Sequence, residues 1–388
     1  MTTSRNRRYR RRLPALLRRV LYPDAVRLAD IHLRGAEVTE DIRFPSTRVD
    51  TPEAPYLGVW PLAKHAVGAH YDTPDYFSLR LSGVLYDPVC NLITTRSGAP
   101  IIDTISTFLP LTLRAWTRRI NIKPRKIDGL CTVFRSVHGN YYHTLIEDMS
   151  RLFLLRQPIY RNMGTIKMLL PSEPTAFEQY LFDRYLPDNI QLEIVGRENY
   201  IEPDVLIAPS FLTQQSVTCL PRAFVDDLLS NLVPRRPRNK RRRIFISRKP
   251  GKNGAIRVVN NEEALWQALR SEGFERYALE DMSFDEEIDL FYDAEIVVAA
   301  HGAGLANLIF SDNIDVVELH ASQIVVPYFY YMSVSLGHRY HWWKAEKKHF
   351  NASFSVDVPE VMAIVAKALG RCSVKTDESS SLLDALNA

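Results

Sequence analysis

The stretch Glu295-Ile296-Val297-Val298-Ala299-Ala300-His301-Gly302-Ala303-Gly304-Leu305-Ala306-Asn307 decides the fold. Residues 295–300 read as a buried strand, and residues 302–310 read as a helix opened by two glycines. Glycines at that place let a ligand approach the backbone closely, while the unpaired N–H groups of a helix start face it. Phosphate or pyrophosphate is the natural occupant, favoured by the helix dipole. The pattern is not Gly-x-Gly-x-x-Gly, and it follows the third strand of its half rather than the first. A dinucleotide cofactor is therefore not expected. A tight turn with His301 as a packed residue is the plainer reading.

On either side, strands and helices alternate. Residues 244–247 form a strand, and Asn260 with Glu263 gives a capping signature for a helix through Arg270. Residues 274–279 are a strand, Ser283 with Glu286 opens a helix to Asp293, and residues 316–319 are a fourth strand. At the end of the first of these strands stand Ser247 and Arg248, with Arg257 further on. A cation at the carboxyl end of a parallel strand can hold phosphate oxygens in a fork. Lys249 and Lys252 read as solvated.

Upstream, residues 131–134, 166–170 and 191–195 are strands, alternating with helices over 140–155 and 175–185. Residues 56–103 carry short alternating runs broken by Gly, Pro and Asp, the pattern of antiparallel strands. The fold expected is α/β, two halves with a cleft between them and a β-rich N-terminal extension. The division is a basic arm and lead-in (1–55), an N-terminal domain (56–233), a basic linker (234–243), a C-terminal domain (244–372) and a polar tail (373–388).

On the helix over 140–155, Asn140, His143 and Glu147 fall on one face, with Asp148 adjacent. A histidine and a carboxylate one turn apart can position and deprotonate a hydroxyl. A capped polar surface face is the equal alternative.

With 46% hydrophobic and 24% charged residues, the 388-residue chain reads as globular and long enough for two or three domains. No run approaches the ~18 apolar residues of a membrane span. The cysteines Cys90, Cys131, Cys219 and Cys372 are too scattered for a zinc knuckle or a disulfide framework, which points to a reducing cytoplasm. The net charge is +4, yet eight arginines lie among the first twenty residues, an arm suited to an anionic membrane surface or to a solvated tail. Seven of the nine residues 235–243 are basic; as a linker they give no reason to expect a nucleic-acid partner. There is no Asp-x-Asp metal clamp, His-Glu-x-x-His, Walker sequence or Gly-x-Ser-x-Gly, so no metal requirement is expected.

Together, Asn140-Tyr141-Tyr142-His143 with Glu147, Ile246-Ser247-Arg248, Arg257 with Asn261-Glu262, Leu279-Glu280, His301-Gly302-Ala303-Gly304-Leu305 with Asn307, and Val317-Glu318-Leu319 resemble glycosyltransferase family 61. The match runs over about residues 130–319. The resemblance implies a GT-B architecture of two Rossmann-like domains, an inverting mechanism and a nucleotide-sugar donor as substrate. It looks like the bacterial branch associated with capsule or lipopolysaccharide synthesis, which would place the chain in the cytoplasm, peripheral on the inner face of the plasma membrane. On that basis Ser247, Arg248, Arg257, His301, Gly302, Ala303, Gly304, Asn307 and Glu318 are donor-side residues, with Glu318 accepting from ribose hydroxyls. Glu147 or Asp148 would be the base, with His143 and Asn140 beside it on the side of a glycan or lipid-linked acceptor. A non-catalytic module that binds a nucleotide or glycan shares all of these features except the need for a base.

Overall fold

The structure is a computed structural model that describes residues 35–51, 70–101, 104, 123–135, 140–212, 218–248, 257–321, 326–346 and 353–370. The arginine arm, Lys249, Lys252, the polar tail and part of the 56–103 segment lie outside the described residues.

Among the described residues, ten strands precede the basic segment: β1 (Glu37–Phe44), β2 (Arg48–Asp50), β3 (His70–Asp72), β4 (Tyr76–Ser82), β5 (Val84–Asp87), β6 (Leu92–Thr95), β7 (Arg125–Val133), β8 (Ile166–Leu170), β9 (Ile190–Ile194) and β10 (Ile201–Pro209). Eight of them make one mixed sheet with the path β1-β4-β10-β7-β8-β9, while β5 and β6 pair beside it. From β10 to β9 the pairing is parallel; β4 and β1 add to it antiparallel. Of the N-terminal strands, β1, β4, β5 and β6 therefore belong to the first sheet and are not a separate extension, while β2 and β3 pair only with each other. Strand β10, central in the sheet, has no counterpart in the sequence reading. Glu202, Pro203 and Asp204 interrupt its apolar run, and the register shifts between Pro203 and Val205, a bulge that absorbs the proline's missing donor.

The second sheet holds β11 (Arg242–Ile246), β12 (Glu275–Tyr277), β13 (Ala294–Ala300), β14 (Asp315–His320) and β15 (Arg339–Lys344) in the order β12-β11-β13-β14-β15, all parallel. In chain order this is 2-1-3-4-5, a doubly wound sheet whose order reverses between β11 and β13. Strand β15 extends the expected four strands to five, because Arg339-Tyr340-His341-Trp342-Trp343-Lys344 is too polar to read as a buried parallel strand. The capping box of Ser283 and Glu286 is present ahead of the helix Phe284–Tyr292. The helix Glu262–Ser271 instead starts from Asn261 without a side-chain cap. Asn261 is occupied elsewhere, exchanging two 2.9 Å hydrogen bonds with the backbone of Val356.

The basic segment is anchored rather than loose. Arg238 donates to the carbonyls of Tyr292 (2.9 Å) and Phe310 (2.7 Å), and Arg236 pairs with Asp293, just past the helix Phe284–Tyr292. Cations suit a helix C-terminus, where carbonyls lack partners. Arg242 and Arg243 already belong to β11.

One apolar cluster runs through both halves, joining Leu145, Met149 and Leu152 to Ile244, Val297, Leu305 and Phe310. The segment carrying His143 thus packs directly on the half that carries the glycine turn. The aromatic segment from Tyr328 to Trp343 is largely core, with Phe329, Tyr330, Tyr331 and Trp343 buried.

Candidate active site

Strand β11 ends at Ile246 and β13 at Ala300, so the residues that follow, Ser247-Arg248 and His301-Gly302, meet at the point where the strand order reverses. Doubly wound sheets bind ligands in that crevice, outside the carboxyl ends of the strands. A pocket of about 260 Å³ lies here, lined by Ser247, Arg248, Glu280, Glu287, the Gly302–Gly304 turn and Tyr141 from the first half. A larger space of about 600 Å³ lies beside Arg242, at the opposite, amino end of β11, and none of the expected site residues lines it.

The glycine turn is shaped by what packs on it. Gly302 has extended backbone (φ 174°), which any residue can adopt, but a Cβ there would come 2.3 Å from Nη2 of Arg248 and 2.6 Å from its Cζ. The guanidinium of Arg248 packs closely on the backbone of Gly302, and a side chain there would displace it. At Gly304 a Cβ would meet Cδ1 of Leu279 at 2.8 Å. The turn leads into Ala303–Phe310, a 3₁₀ helix rather than the α-helix expected.

Burial lowers the pKa of Arg248, and the charge of Arg257 lowers it further against the pull of Glu280. Burial likewise lowers that of Arg257, with Glu318 opposing. Arg257 is held in the left-handed region at φ 62°, and its buried Nε has no hydrogen-bond partner among the described residues. Backbone strain of roughly 1–3 kcal/mol persists only where surroundings fix it, and such residues gather at ligand sites. Two partly buried arginines that repel one another favour an anion between them.

Ser247 donates to Glu262 at 2.6 Å, fixing the start of the following helix. Two other expected donor contacts are placed differently. Asn307 is wholly buried: its Oδ1 accepts from Tyr141 (2.6 Å) and its Nδ2 donates to Glu287 (2.7 Å), so it braces the two halves and faces no ligand. Glu318 is 0% exposed, with both oxygens engaged, so it is not available to a ribose. Its Oε1 is 2.5 Å from Nδ1 of His301, and its Oε2 accepts from Tyr340 at 2.6 Å with His320 Nε2 3.6 Å away. Burial pushes the carboxyl up, but His320, His301 and Tyr340 outweigh it and hold the pKa below the usual carboxylate value.

His301, Glu318 and His320 are the group that could hold a cation among the described residues, with ligand atoms within 4.8 Å of one another. The 2.5 Å between Nδ1 and Oε1 is a hydrogen-bond separation, and the second oxygen accepts from Tyr340.

In the first half, β7 leads to Asn140, whose Oδ1 accepts from the backbone N of His143 at 3.1 Å. Asn140 is thus a helix cap as placed here. A π-helical turn, His143–Asp148, then precedes the α-helix Met149–Leu155 where one continuous α-helix was expected. Such turns recur at functional sites because they re-aim side chains. Nδ1 of His143 lies 2.8 Å from Oε2 of Glu147, within reach though not at a hydrogen-bonding angle. Asp148 is wholly buried, and its charge acts on Arg151 and Tyr86. The two neighbouring acids therefore have different surroundings.

The two centres meet through aromatic rings. Tyr142 is 5.2 Å from the ring of His143 and 5.7 Å from that of Phe329, which is 5.5 Å from His301. Glu287 is a pocket residue that sequence reasoning passed over, and Tyr141, quoted there only as part of a motif, was given no place in the site. Glu287 follows the capping glutamate Glu286, and nothing local sets it apart.

Among curated proteins, none matches the chain. A family model described as Glycosyltransferase 61 matches residues 141–317, which span the π-helical turn, Arg248, the glycine turn and the first half of β14. Over those residues, somewhat under half of its length, the chain is similar to the glycosyltransferase 61 family.

Proposed function

We propose that the protein is an inverting glycosyltransferase of GT-B type that moves a sugar from a nucleotide-sugar to a hydroxyl of a glycan or lipid-linked acceptor. The observation that carries this reading is the pocket at the β11/β13 reversal, where Arg248 lies against Gly302 and Tyr141 of the other half closes the wall. The donor's diphosphate would rest on the Gly302–Gly304 turn, Arg248 and Arg257. The acceptor oxygen attacks the anomeric carbon as the bond from that carbon to the phosphate oxygen breaks. The proton passes to Glu147, and the nucleotide leaves with the bonding electrons. Fixed cations and N–H donors stabilise the charge that develops on the phosphate without reorganising. His143 orients Glu147 in this scheme. The reading is tested by incubating the protein with a set of nucleotide-sugars and an acceptor extract and following nucleotide release; tight binding without release favours the non-catalytic module.

Arg248→Ala is expected to weaken nucleotide binding by roughly 1.5–3 kcal/mol, the value of a hydrogen bond to a charged group. Gly302→Ala should do much of the same by displacing the guanidinium, and the double variant should be no worse than Arg248→Ala alone. Calorimetry checks the pattern; additive losses would place the phosphate away from Arg248.

Turnover is expected to survive chelation, since arginines and backbone donors carry the leaving-group charge. Loss of release in EDTA, restored by Mg²⁺ or Mn²⁺, would overturn that point.

A role in capsule or lipopolysaccharide synthesis, on the inner face of the plasma membrane, fits the arginine arm. Deleting residues 1–19 is expected to leave turnover intact and to reduce binding to vesicles containing phosphatidylglycerol, as should added salt. Equal vesicle binding by both forms would remove the membrane from this account.

A further inference from the structure

Glu287, like Glu280, is a pocket-lining carboxylate that the scheme above leaves unused, and three elements converge to hold Glu287. It stands on the helix Phe284–Tyr292; Asn307, from the 3₁₀ helix, donates to its Oε2 at 2.7 Å, and Tyr141, from the first half, interacts with it as well as with Asn307. The side chain is buried but opens on the pocket. Burying a carboxylate is costly unless donors meet it; among the described residues Asn307 donates to Glu287, while the one hydroxyl hydrogen of Tyr141, close by, goes to Asn307. Burial raises the pKa of Glu287 and Glu280 raises it further, against Asn307 and the neighbouring Tyr141 hydroxyl, so another hydroxyl donor would relieve it.

The pocket therefore contains an anion-binding end, Arg248 and the glycine turn, together with the carboxylate of Glu287. A simple anion gains nothing from Glu287, and a simple cation is repelled by Arg248. A phosphate joined to a hydroxyl-rich ring matches both. The volume, about 260 Å³, is below the roughly 300–1,000 Å³ of pockets for whole drug-sized ligands, so it suits one ring of a larger donor.

We propose that Glu287 reads the donor, its carboxylate accepting hydrogen bonds from neighbouring hydroxyls of one ring while Arg248 holds the attached phosphate. The proposal rests on the nucleotide-sugar reading and names the specificity-determining residue within it. The ring is either the ribose of the nucleotide or the sugar to be transferred, since both present a vicinal diol.

The test is calorimetry of wild type and Glu287→Gln with UDP-glucose, UDP-N-acetylglucosamine and GDP-mannose, each beside its free nucleotide and inorganic pyrophosphate. The glutamine variant should lose about 10- to 150-fold in affinity for the nucleotide-sugar that wild type binds best, the value of a charge-assisted hydrogen bond. Pyrophosphate binding should be unchanged. A loss confined to the nucleotide-sugar identifies the ring as the sugar; a matching loss with the free nucleotide identifies it as the ribose. Unchanged affinity for both, or an equal loss for pyrophosphate, overturns the assignment, the latter because Glu287 would then only shape the fold. If wild type binds no nucleotide at all, the donor reading itself fails, and the proposal with it. Should the variant not fold, wild type is measured with donors lacking single sugar or ribose hydroxyls. Losses at two adjacent hydroxyls are expected, and indifference at every position overturns the proposal.

Discussion

Glu147→Gln is expected to lower turnover by a factor of about 100 to 10,000, the usual contribution of a general base, with donor affinity nearly unchanged. The variant keeps the size of the side chain and its place 2.8 Å from His143, but it cannot take the acceptor's proton. Asp148→Asn should behave differently. Asp148 is wholly buried and its charge acts on Arg151, itself buried, so the loss should be seen in thermal stability more than in turnover of the folded fraction. Single-turnover rates with folding checked by circular dichroism separate the two. The opposite ranking would move the base to Asp148, and wild-type rates in both variants would favour a binding module.

Glu318→Ala is expected to destabilise the fold by roughly 1–3 kcal/mol, the cost of leaving buried hydrogen-bonding groups without their acceptor. His301, Tyr340 and His320 would be left around an empty acceptor position. The pH dependence has a definite sign. The folded carboxyl titrates below its ordinary value of 4.5, so its stabilisation is complete above about that pH and is lost as pH falls through the folded value. Denaturant midpoints across the acid range should fall less steeply in Glu318→Gln than in wild type. Parallel acid limbs would show that Glu318 does not carry this dependence.

The legible parts of the sequence were those whose cause is local. The run of residues 296–300 ahead of two glycines, Ser283 with Glu286, and Arg248 at a strand end each act through a period, a cap or a turn that a short window contains. Strand β10 escaped because Glu202-Pro203-Asp204 hides a central strand behind a bulge, and β15 because aromatic and charged residues alternate along a parallel edge.

By itself the sequence determined the α/β alternation, the glycine turn and the likeness of residues 141–317 to the glycosyltransferase 61 family. Tertiary structure alone decided where the polar side chains of those elements point. It buried Glu318 beneath His301 and turned Asn307 into a brace. It set Glu147 apart from Asp148 and brought Tyr141 across to Glu287 at the pocket wall. The physical reason is distance along the chain. Tyr141 and Asn307 are 166 residues apart, and a hydrogen bond between them leaves no period or cap in either segment to be read.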